Sequence, residues 1–329
     1  MASRAGLAGS RAVRAVRAAR AVRAARAPHG AGRRGVSGAA GAPGASDEAG
    51  AAGRGLGVGF SGGGLLLPYL AGAAAGLSRP GLPGAGPGSE SGGWAGPPPL
   101  GPETPLAGSS AGSLTAMALA AGVPMEQALE LTIKMANGLR PGWMGAFGLK
   151  DPLRALLEEL LPPDIHRRAS GRVHVGIVWL ADPSYRWELV SDFSSRADVI
   201  EALLASCHVP FWFDGRNATT QFRGRAALDG GLSPNFMPSP PGCDRPVRVS
   251  CIPNLPAADI APGVLTTAGF SVSEAITFAL TRQPEKVMRD LYVQGGVDAA
   301  EWRRRLYEPC LLGDPPERSQ DAASAAGAP

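Results

Sequence analysis

The chain has 329 residues, 44% of them apolar, which suffices for one large domain or two small ones with a sizeable core. Its formal charge is +4, yet nine of the 32 basic residues precede Asp47, the first acidic residue. The remainder carries 23 basic against 28 acidic residues, a net charge of −5, so the folded body lacks the basic face that nucleic-acid binding requires.

The N-terminal stretch consists mostly of alanine, arginine and glycine. It is arginine-rich and acid-poor, and it contains no apolar run of the kind that a secretory signal needs. This composition predicts a disordered organelle transit peptide over residues 1–50. The protein would then enter a plastid (chloroplast) or a mitochondrion and lie peripheral to a membrane there. The alternatives are a disordered tail or a wrongly assigned start codon, either of which makes the protein cytoplasmic.

The four cysteines are Cys207, Cys243, Cys251 and Cys310, and none of them forms a Cys-x-x-Cys pair. Because nothing indicates secretion, we expect neither a disulfide framework nor a metal site. No motif points to a cofactor. No window approaches 18 clean apolar residues, so we also expect no transmembrane span.

The first predicted element of the body is a short strand over residues 56–60 (LGVGF), which stops at the glycine turn, Ser61–Gly64. A helix is predicted over roughly 65–77. Consecutive glycines let backbone N–H groups approach an anion closely, at the positive end of the next helix. The turn is not a phosphate-binding Walker loop, because no Gly-Lys-Ser/Thr follows, and Leu67 replaces the last glycine of a dinucleotide fingerprint. We therefore predict an oxyanion hole formed by the backbone of Gly62, Gly63 and Gly64. The alternative is a flexible turn.

Residues 78–105 are rich in glycine, proline and serine, which predicts a loop insertion. The stretch that follows contains Gly108-Ser109-Ser110-Ala111-Gly112, which fits Gly-x-Ser-x-Gly and lies between a short apolar lead-in and a helix that extends to about residue 121. This arrangement is typical of a nucleophile elbow, in which small neighbours permit a strained serine. Ser110 is the predicted nucleophile, with Gly108 and Gly112 as the elbow glycines. The alternative is an ordinary turn of small residues.

Strands and helices alternate through the rest of the chain. Helices are predicted from Pro124 onward and over about 151–161, 195–206, 272–293 and 298–307, and strands over 172–180, 185–190, 224–228 and 247–252. Ser195 is the expected N-cap of its helix, with Asp198 in a position like that of a capping box. The pattern predicts an α/β sheet covered by helices on both faces. The last residues, 313–329, form a polar tail that we expect to be disordered.

The base that would deprotonate Ser110 has several candidates. The chain has four histidines, and only His208 lies in a plausible loop, which leaves an α/β-hydrolase-type esterase with a Ser110–His208 pair as one hypothesis. Asp229 ends a short apolar strand and precedes two glycines. A partly desolvated carboxylate at that position can accept the serine proton directly. Asp214 also precedes a glycine but lacks the apolar lead-in, so Asp229 is the preferred base.

With these motifs in order, the chain resembles the patatin-like phospholipase family over roughly residues 55–255. Four segments carry the resemblance: Phe60–Leu66, Gly108–Leu114, Ala205–Pro210, which is similar to an Ala-Ser-x-x-x-Pro stretch, and Leu228–Gly231, which is similar to Asp-Gly-Gly/Ala. Residues 261–302 look like the extension of plant and algal members.

The resemblance implies a three-layer α/β/α sandwich with a mostly parallel central sheet, forming an acyl hydrolase domain over residues 51–312. It also implies hydrolysis of acyl esters in phospholipids, galactolipids or acylglycerols at a membrane or lipid-droplet surface. The reaction would use a Ser110–Asp229 dyad and an acyl-enzyme. Two departures, Leu65–Leu67 after the glycines and Pro105 close to the elbow, motivate the hypothesis of a catalytically silent, lipid-associated member.

Overall fold

The computed structural model describes residues 54–79, 100–139, 148–181, 184–267 and 269–311. The strands are β1 (Arg54–Phe60), β2 (Leu106–Ser109), β3 (Val173–Ala181), β4 (Ser184–Val190), β5 (Thr220–Phe222), β6 (Arg225–Asp229) and β7 (Cys243–Val249). The helices are α1 (Leu67–Ser78), α2 (Ala111–Ala121), α3 (Met125–Asn137), α4 (Lys150–Leu160), α5 (Ile165–Ala169), α6 (Arg196–Ser206), α7 (Val272–Leu280) and α8 (Glu285–Leu311). The predicted transit peptide, most of the insertion and the tail over 313–329 lie outside the described residues.

The seven strands form one mixed sheet in the order β5-β6-β3-β2-β1-β7, with β4 paired to β3. The neighbours β7, β1, β2 and β3 run parallel, while β4 and β6 are antiparallel to β3. Helices pack against this sheet, with α2 against β1, β2 and β3, and α6 against β3, β5 and β6. The predicted α/β sandwich is therefore confirmed.

Three strands pair with β3, and two of them share one of its edges. Strand β4 pairs along β3 from Val175 to Ala181 and occupies one edge. On the other edge, β2 ends opposite Gly176, and β6, running the opposite way, ends opposite Ile177. The carboxyl ends of β2 and β6 therefore meet head-on, which places Ser110 beside Asp229.

Strand β1 shows why its sequence alternates between large apolar residues and glycine. Val58 and Phe60 are fully buried in the core. A Cβ added at Gly59 would overlap the Pro238 carbonyl oxygen, so the chain before β7 can cover this part of β1 only because no side chain is present. The strand ends at Phe60, and the chain turns into the glycine turn there.

The C-terminal helices differ from the prediction in their boundaries. The single helix predicted over 272–293 is two helices, because Thr281 has an extended backbone and Pro284 begins a new segment. The predicted break before residue 298 is absent, and α8 continues to Leu311. Gly295 does not break α8 because it lies directly against the Tyr69 carbonyl of α1, where a Cβ would overlap.

Two further elements differ from the prediction. The strand predicted over 247–252 lies earlier, at β7, where it pairs in parallel with the whole of β1. The short helix α5, which contains His166, is absent from the predicted elements. The expected N-cap of α6 is confirmed, because the Ser195 hydroxyl accepts the Asp198 N–H at 3.1 Å. The Asp198 carboxylate accepts the Ser194 N–H at 3.0 Å, instead of the Ser195 N–H that a capping box would use.

Candidate functional site

The elbow, Gly108–Gly112, is the sharp strand-to-helix turn that its sequence predicts. Ser110 has φ 53° and ψ −125°, a backbone conformation that costs a residue with a side chain of order 1–3 kcal/mol. It is the N-cap of α2, so its side chain lies at the positive end of that helix. A Cβ at Gly108 would overlap the Gly112 carbonyl, and a Cβ at Gly112 would overlap the Phe60 carbonyl oxygen. The elbow therefore requires both glycines.

The strained turn is fixed by a hydrogen-bond chain to two other elements. The Ser110 N–H donates to Ser206 Oγ at 2.9 Å, and the Ser206 hydroxyl donates to the Gly176 carbonyl at 2.8 Å. The elbow is thereby tied to the end of α6 and the middle of β3. Sequence reasoning noted Ser206 only as part of the Ala205–Pro210 stretch, without assigning it this role.

The glycine turn lies against the elbow. A Cβ added at Gly62 would be 3.5 Å from Ser110 Cβ and 3.3 Å from Gly231 Cα, so the three motifs meet at this residue. The Gly62 N–H, however, donates to the Phe236 carbonyl at 3.0 Å. It is not available to an oxyanion, which corrects the prediction for Gly62. Among the described residues, no hydrogen bond uses the N–H of Gly63 or Gly64, so the predicted donors reduce to these two.

Asp229 is the carboxylate beside the place where the glycine turn meets the elbow, and it is only 3% exposed. Its Oδ1 accepts the Gly231 N–H at 2.6 Å, and its backbone N–H donates to the His208 carbonyl at 2.9 Å. Its Oδ2 is buried and makes no hydrogen bond to any described residue. An unpaired buried carboxylate oxygen is costly, so its presence points to a function.

Burial raises the pKa of Asp229 to about 7. The Ser110 hydroxyl and the Gly231 N–H act in the opposite direction, but desolvation is the larger effect. The Ser110 hydroxyl is thus close enough to influence this carboxyl, although no hydrogen bond of ordinary geometry joins the two. Such looseness is common in unliganded catalytic pairs. The carboxyl can take up and release a proton at neutral pH.

The alternative bases lie elsewhere. His208 is fully buried, and its Nε2 lies 3.2 Å from the Asn217 carbonyl oxygen. Its ring packs edge-on against Phe213, and burial lowers its pKa. No hydrogen bond of the described residues joins a histidine ring to Ser110. Asp214 accepts three hydrogen bonds from Arg216 and Asn217 in an exposed turn, which is a structural role.

Cys207 is a neighbour of the site that sequence reasoning did not single out. Burial, followed by the nearby charge of Asp229, raises the pKa of its thiol well above its usual value. The hydroxyls of Ser110 and Ser113 act in the opposite direction and lower this pKa, but burial is the larger effect. The thiol therefore stays protonated and acts as a small apolar group beside the serine. Its position next to Ser206 in the Ala205–Pro210 stretch was the only available signal.

Within the described ranges, no group of three or more His, Cys, Asp or Glu side chains is placed to hold a metal ion. None of the helices described there combines the length and the apolar character needed to cross a membrane.

Comparison with known proteins identifies relatives of this chain. A patatin-like phospholipase profile matches residues 59–239. The mouse protein named 1-acylglycerol-3-phosphate O-acyltransferase Pnpla3 is 31% identical over 209 residues, which are 58% of this chain and 49% of that protein. Human patatin-like phospholipase domain-containing protein 4 is 36% identical over 162 residues, 48% of this chain and 61% of that protein. Mouse omega-hydroxyceramide transacylase is 29% identical over 132 residues, 39% of this chain and 21% of that protein.

The chain thus spans about half of the first of these relatives and less than two thirds of the other two. All three are mammalian, and the plant or algal type stays a prediction. The profile match covers more than half of the 329 residues and includes the glycine turn, the elbow and Asp229, and the chain therefore belongs to the patatin-like phospholipase family.

Proposed function

We propose that this protein is a lipid acyl hydrolase in which Ser110 is the nucleophile and Asp229 is its base. The observation that carries the proposal is the meeting of a strained, buried serine with a carboxylate whose Oδ2 has no partner among the described residues. A nucleophile, a base titrating near neutral pH and backbone N–H donors are the parts that acyl transfer needs.

In the proposed reaction, Ser110 Oγ attacks the ester carbonyl carbon while Asp229 takes the hydroxyl proton. The N–H groups of Gly63 and Gly64 would stabilise the negative charge that develops on the carbonyl oxygen. Collapse of the tetrahedral intermediate breaks the ester C–O bond, and the departing alcohol takes the proton from Asp229. Water then attacks the acyl carbon of the acyl-enzyme while Asp229 takes a proton from it. The Ser110 oxygen leaves with the proton from Asp229, which releases the fatty acid and restores the serine.

Phospholipids, galactolipids and acylglycerols are the proposed substrate class. A narrow apolar cleft of about 60 Å³ lies one helical turn beyond the elbow, and it would have to widen to hold a long acyl chain. The cleft runs between α1, α2, α3 and α4, and among its lining residues are Leu67, Leu114, Met117, Met135 and Leu157. Leu114 lies one helical turn after Ser110 on α2. Methionines adapt to varied chain shapes, which suits a flexible ligand.

Acyl transfer to an alcohol is the second candidate function. Two of the relatives are named as an O-acyltransferase and a transacylase. An acyl-enzyme can be resolved by an alcohol as readily as by water, because both attack the same carbonyl carbon. A product assay with a labelled acyl ester and added monoacylglycerol separates the two outcomes.

The leucines after the glycine turn and Pro105 before the elbow motivated the hypothesis of a catalytically silent member. Neither departure disturbs the glycine turn or the elbow. Strand β2 is short but pairs in parallel with both β1 and β3, and the Pro105 carbonyl accepts the Val58 N–H at 3.0 Å. Leu65 and Leu66 are buried in the core. The fold therefore accommodates both departures.

A fluorophosphonate probe tests the proposal, because its reaction requires an activated serine. We expect the purified protein to be labelled at Ser110, and we expect Ser110→Ala to remain unlabelled. Absence of labelling in the folded protein would support the silent member instead. Labelling that persists in Asp229→Asn but is lost in His208→Ala would support the Ser110–His208 esterase.

We further propose that residues 1–50 direct import into a plastid or mitochondrion, since the nine arginines of this stretch precede every acidic residue. A fluorescent protein fused behind residues 1–50 should enter the organelle. Replacing the nine arginines by glutamine should leave the fusion in the cytosol. A parent fusion that itself remains cytosolic would contradict the transit peptide and leave the cytoplasmic alternative.

A further inference from the structure

Helix α7 is apolar in composition yet mostly exposed. Of its nine residues (VSEAITFAL), Ala275 alone is buried. Ile276 is 54% exposed and Val272 is 46% exposed, and these two residues are four apart, so they lie on the same face of the helix. Phe278 is partly buried and packs on Phe270 with a ring separation of 5.6 Å. Single exposed apolar residues are ordinary, whereas a helical face of them calls for a partner.

The helix is attached to the rim of the proposed site at its C-terminal end. A Cβ at Gly64 would overlap the Ala279 carbonyl oxygen, so α7 lies directly on the glycine turn. The indole N–H of Trp212 donates to the Leu280 carbonyl at 3.0 Å, which ties α7 to the loop that follows α6. Helix α7 therefore lies beside the glycine turn, whose Gly62 contacts Ser110.

The charge of the helix narrows the choice of partner. Helix α7 contains no lysine or arginine, and its one acidic residue, Glu274, is engaged in the N-terminal capping box with Ser271. The helix therefore has no cation that would attract an anionic surface. Short apolar side chains flanked by Ser273 and Thr277 suit shallow insertion below lipid headgroups.

We propose that the exposed face of α7 is the surface by which the protein docks on a zwitterionic lipid surface, with Ile276 and Val272 entering the acyl region. The proposal rests on the proposed function for the identity of the substrate, since a hydrolase of lipid esters must bring its site to the interface. Docking through α7 would place the glycine turn and Ser110 at the level of the headgroups, where an ester bond lies.

Flotation of the full-length protein with phosphatidylcholine vesicles tests the docking surface without any activity measurement. We expect Ile276→Asp to weaken vesicle partition about tenfold or more, because a charged residue must then enter the acyl region. The matched control is Leu306→Asp on α8, where the leucine is 40% exposed but the helix packs on α1 and α3 instead of the glycine turn. Its partition should stay within about twofold of the parent protein, on the scale of an ordinary surface substitution.

Three outcomes would overturn the inference. Equal weakening by both variants would mean that the loss of binding does not depend on the exposed face of α7. Binding that needs anionic lipid and disappears at high salt would indicate an electrostatic surface elsewhere on the chain. Dissociation of an oligomer by Ile276→Asp without a change in vesicle binding would identify α7 as a protein contact.

Failure of the docking surface and failure of the proposed function are distinguishable. Ser110→Ala should bind vesicles like the parent protein, because Ser110 is buried and does not contribute to the exposed face. If the parent resists fluorophosphonate but its vesicle binding still depends on Ile276, the docking surface stands and the hydrolase proposal fails. If the parent is labelled and Ile276→Asp binds vesicles normally, the hydrolase proposal stands and the docking surface fails.

Discussion

Ser110→Ala is expected to lower the turnover of short acyl esters by roughly three orders of magnitude or more. The hydroxyl is the only part of Ser110 that the substitution removes, and the strained backbone is the same for alanine as for serine. The hydrogen bond from the Ser110 N–H to Ser206 is also retained. Turnover of a soluble p-nitrophenyl ester by the folded variant is the measurement.

Ser109→Ala is the matched control for that substitution. Ser109 occupies the same elbow and is equally buried, but its hydroxyl makes no hydrogen bond to any described residue. Its removal should therefore leave turnover within a few-fold of the parent protein and should not reduce stability. Full activity in a clean Ser110→Ala preparation, or a complete loss in Ser109→Ala, would place the nucleophile elsewhere.

The local parts of the site could be read from the sequence because each depends on near neighbours. Gly108, Ser110 and Gly112 lie within five residues, and the Cβ that Gly108 lacks would overlap Gly112 inside the turn itself. The Ser195 N-cap is local in the same sense. The glycine turn was also predicted, but the hydrogen bond from Gly62 to Phe236 could not be, because it joins residues far apart in the chain.

The proximity of Ser110 and Asp229, in contrast, depends on strands that are far apart in the chain. Sequence reasoning placed Asp229 at the end of a strand, but it could not predict that β6 runs opposite to β2 along the same edge of β3. Cys207 was missed for the same reason, because its contact with Ser110 exists only once α6 packs on β3. The missing break in α8 follows from packing as well, since Gly295 is held against α1.

Asp229→Asn is expected to lower turnover by about 10²–10⁴-fold, the range for loss of a general base. The amide keeps the size of the carboxyl and can still accept the Gly231 N–H, so the turn at Gly230 should persist. What is lost is the ability to accept the Ser110 proton. His208→Ala should cost little turnover per folded molecule, because the ring contacts Asn217 and Phe213 and no described hydrogen bond links it to Ser110.

The pH dependence gives the base a signature of its own. The pKa of Asp229 is raised to about 7, so its ionised form, which accepts the proton, becomes populated as the pH rises through 7. Turnover by the parent protein should therefore increase between about pH 6 and pH 8, whereas the residual turnover of Asp229→Asn should lack this step. A step retained in Asp229→Asn would have to come from another group.

Stability should change in the opposite direction from activity. The ordinary pKa of this carboxyl is 3.8, so between about pH 4 and pH 7 the unfolded chain has released a proton that the native protein still holds. The native state then binds more protons than the unfolded state, and the contribution of Asp229 to stability falls as the pH rises through this window. At 1.36 kcal/mol per pKa unit, the difference reaches roughly 4 kcal/mol above pH 7.

Asp229→Asn removes that penalty, so relative to the parent protein its melting temperature should rise at pH 8 and change less at pH 5. A variant that is less active and yet more stable at alkaline pH is the behaviour of a residue kept ionisable in a buried position for chemistry instead of for folding. If Asp229→Asn melts lower than the parent at pH 8 while keeping its turnover, the carboxylate serves the fold, and another group must take the Ser110 proton.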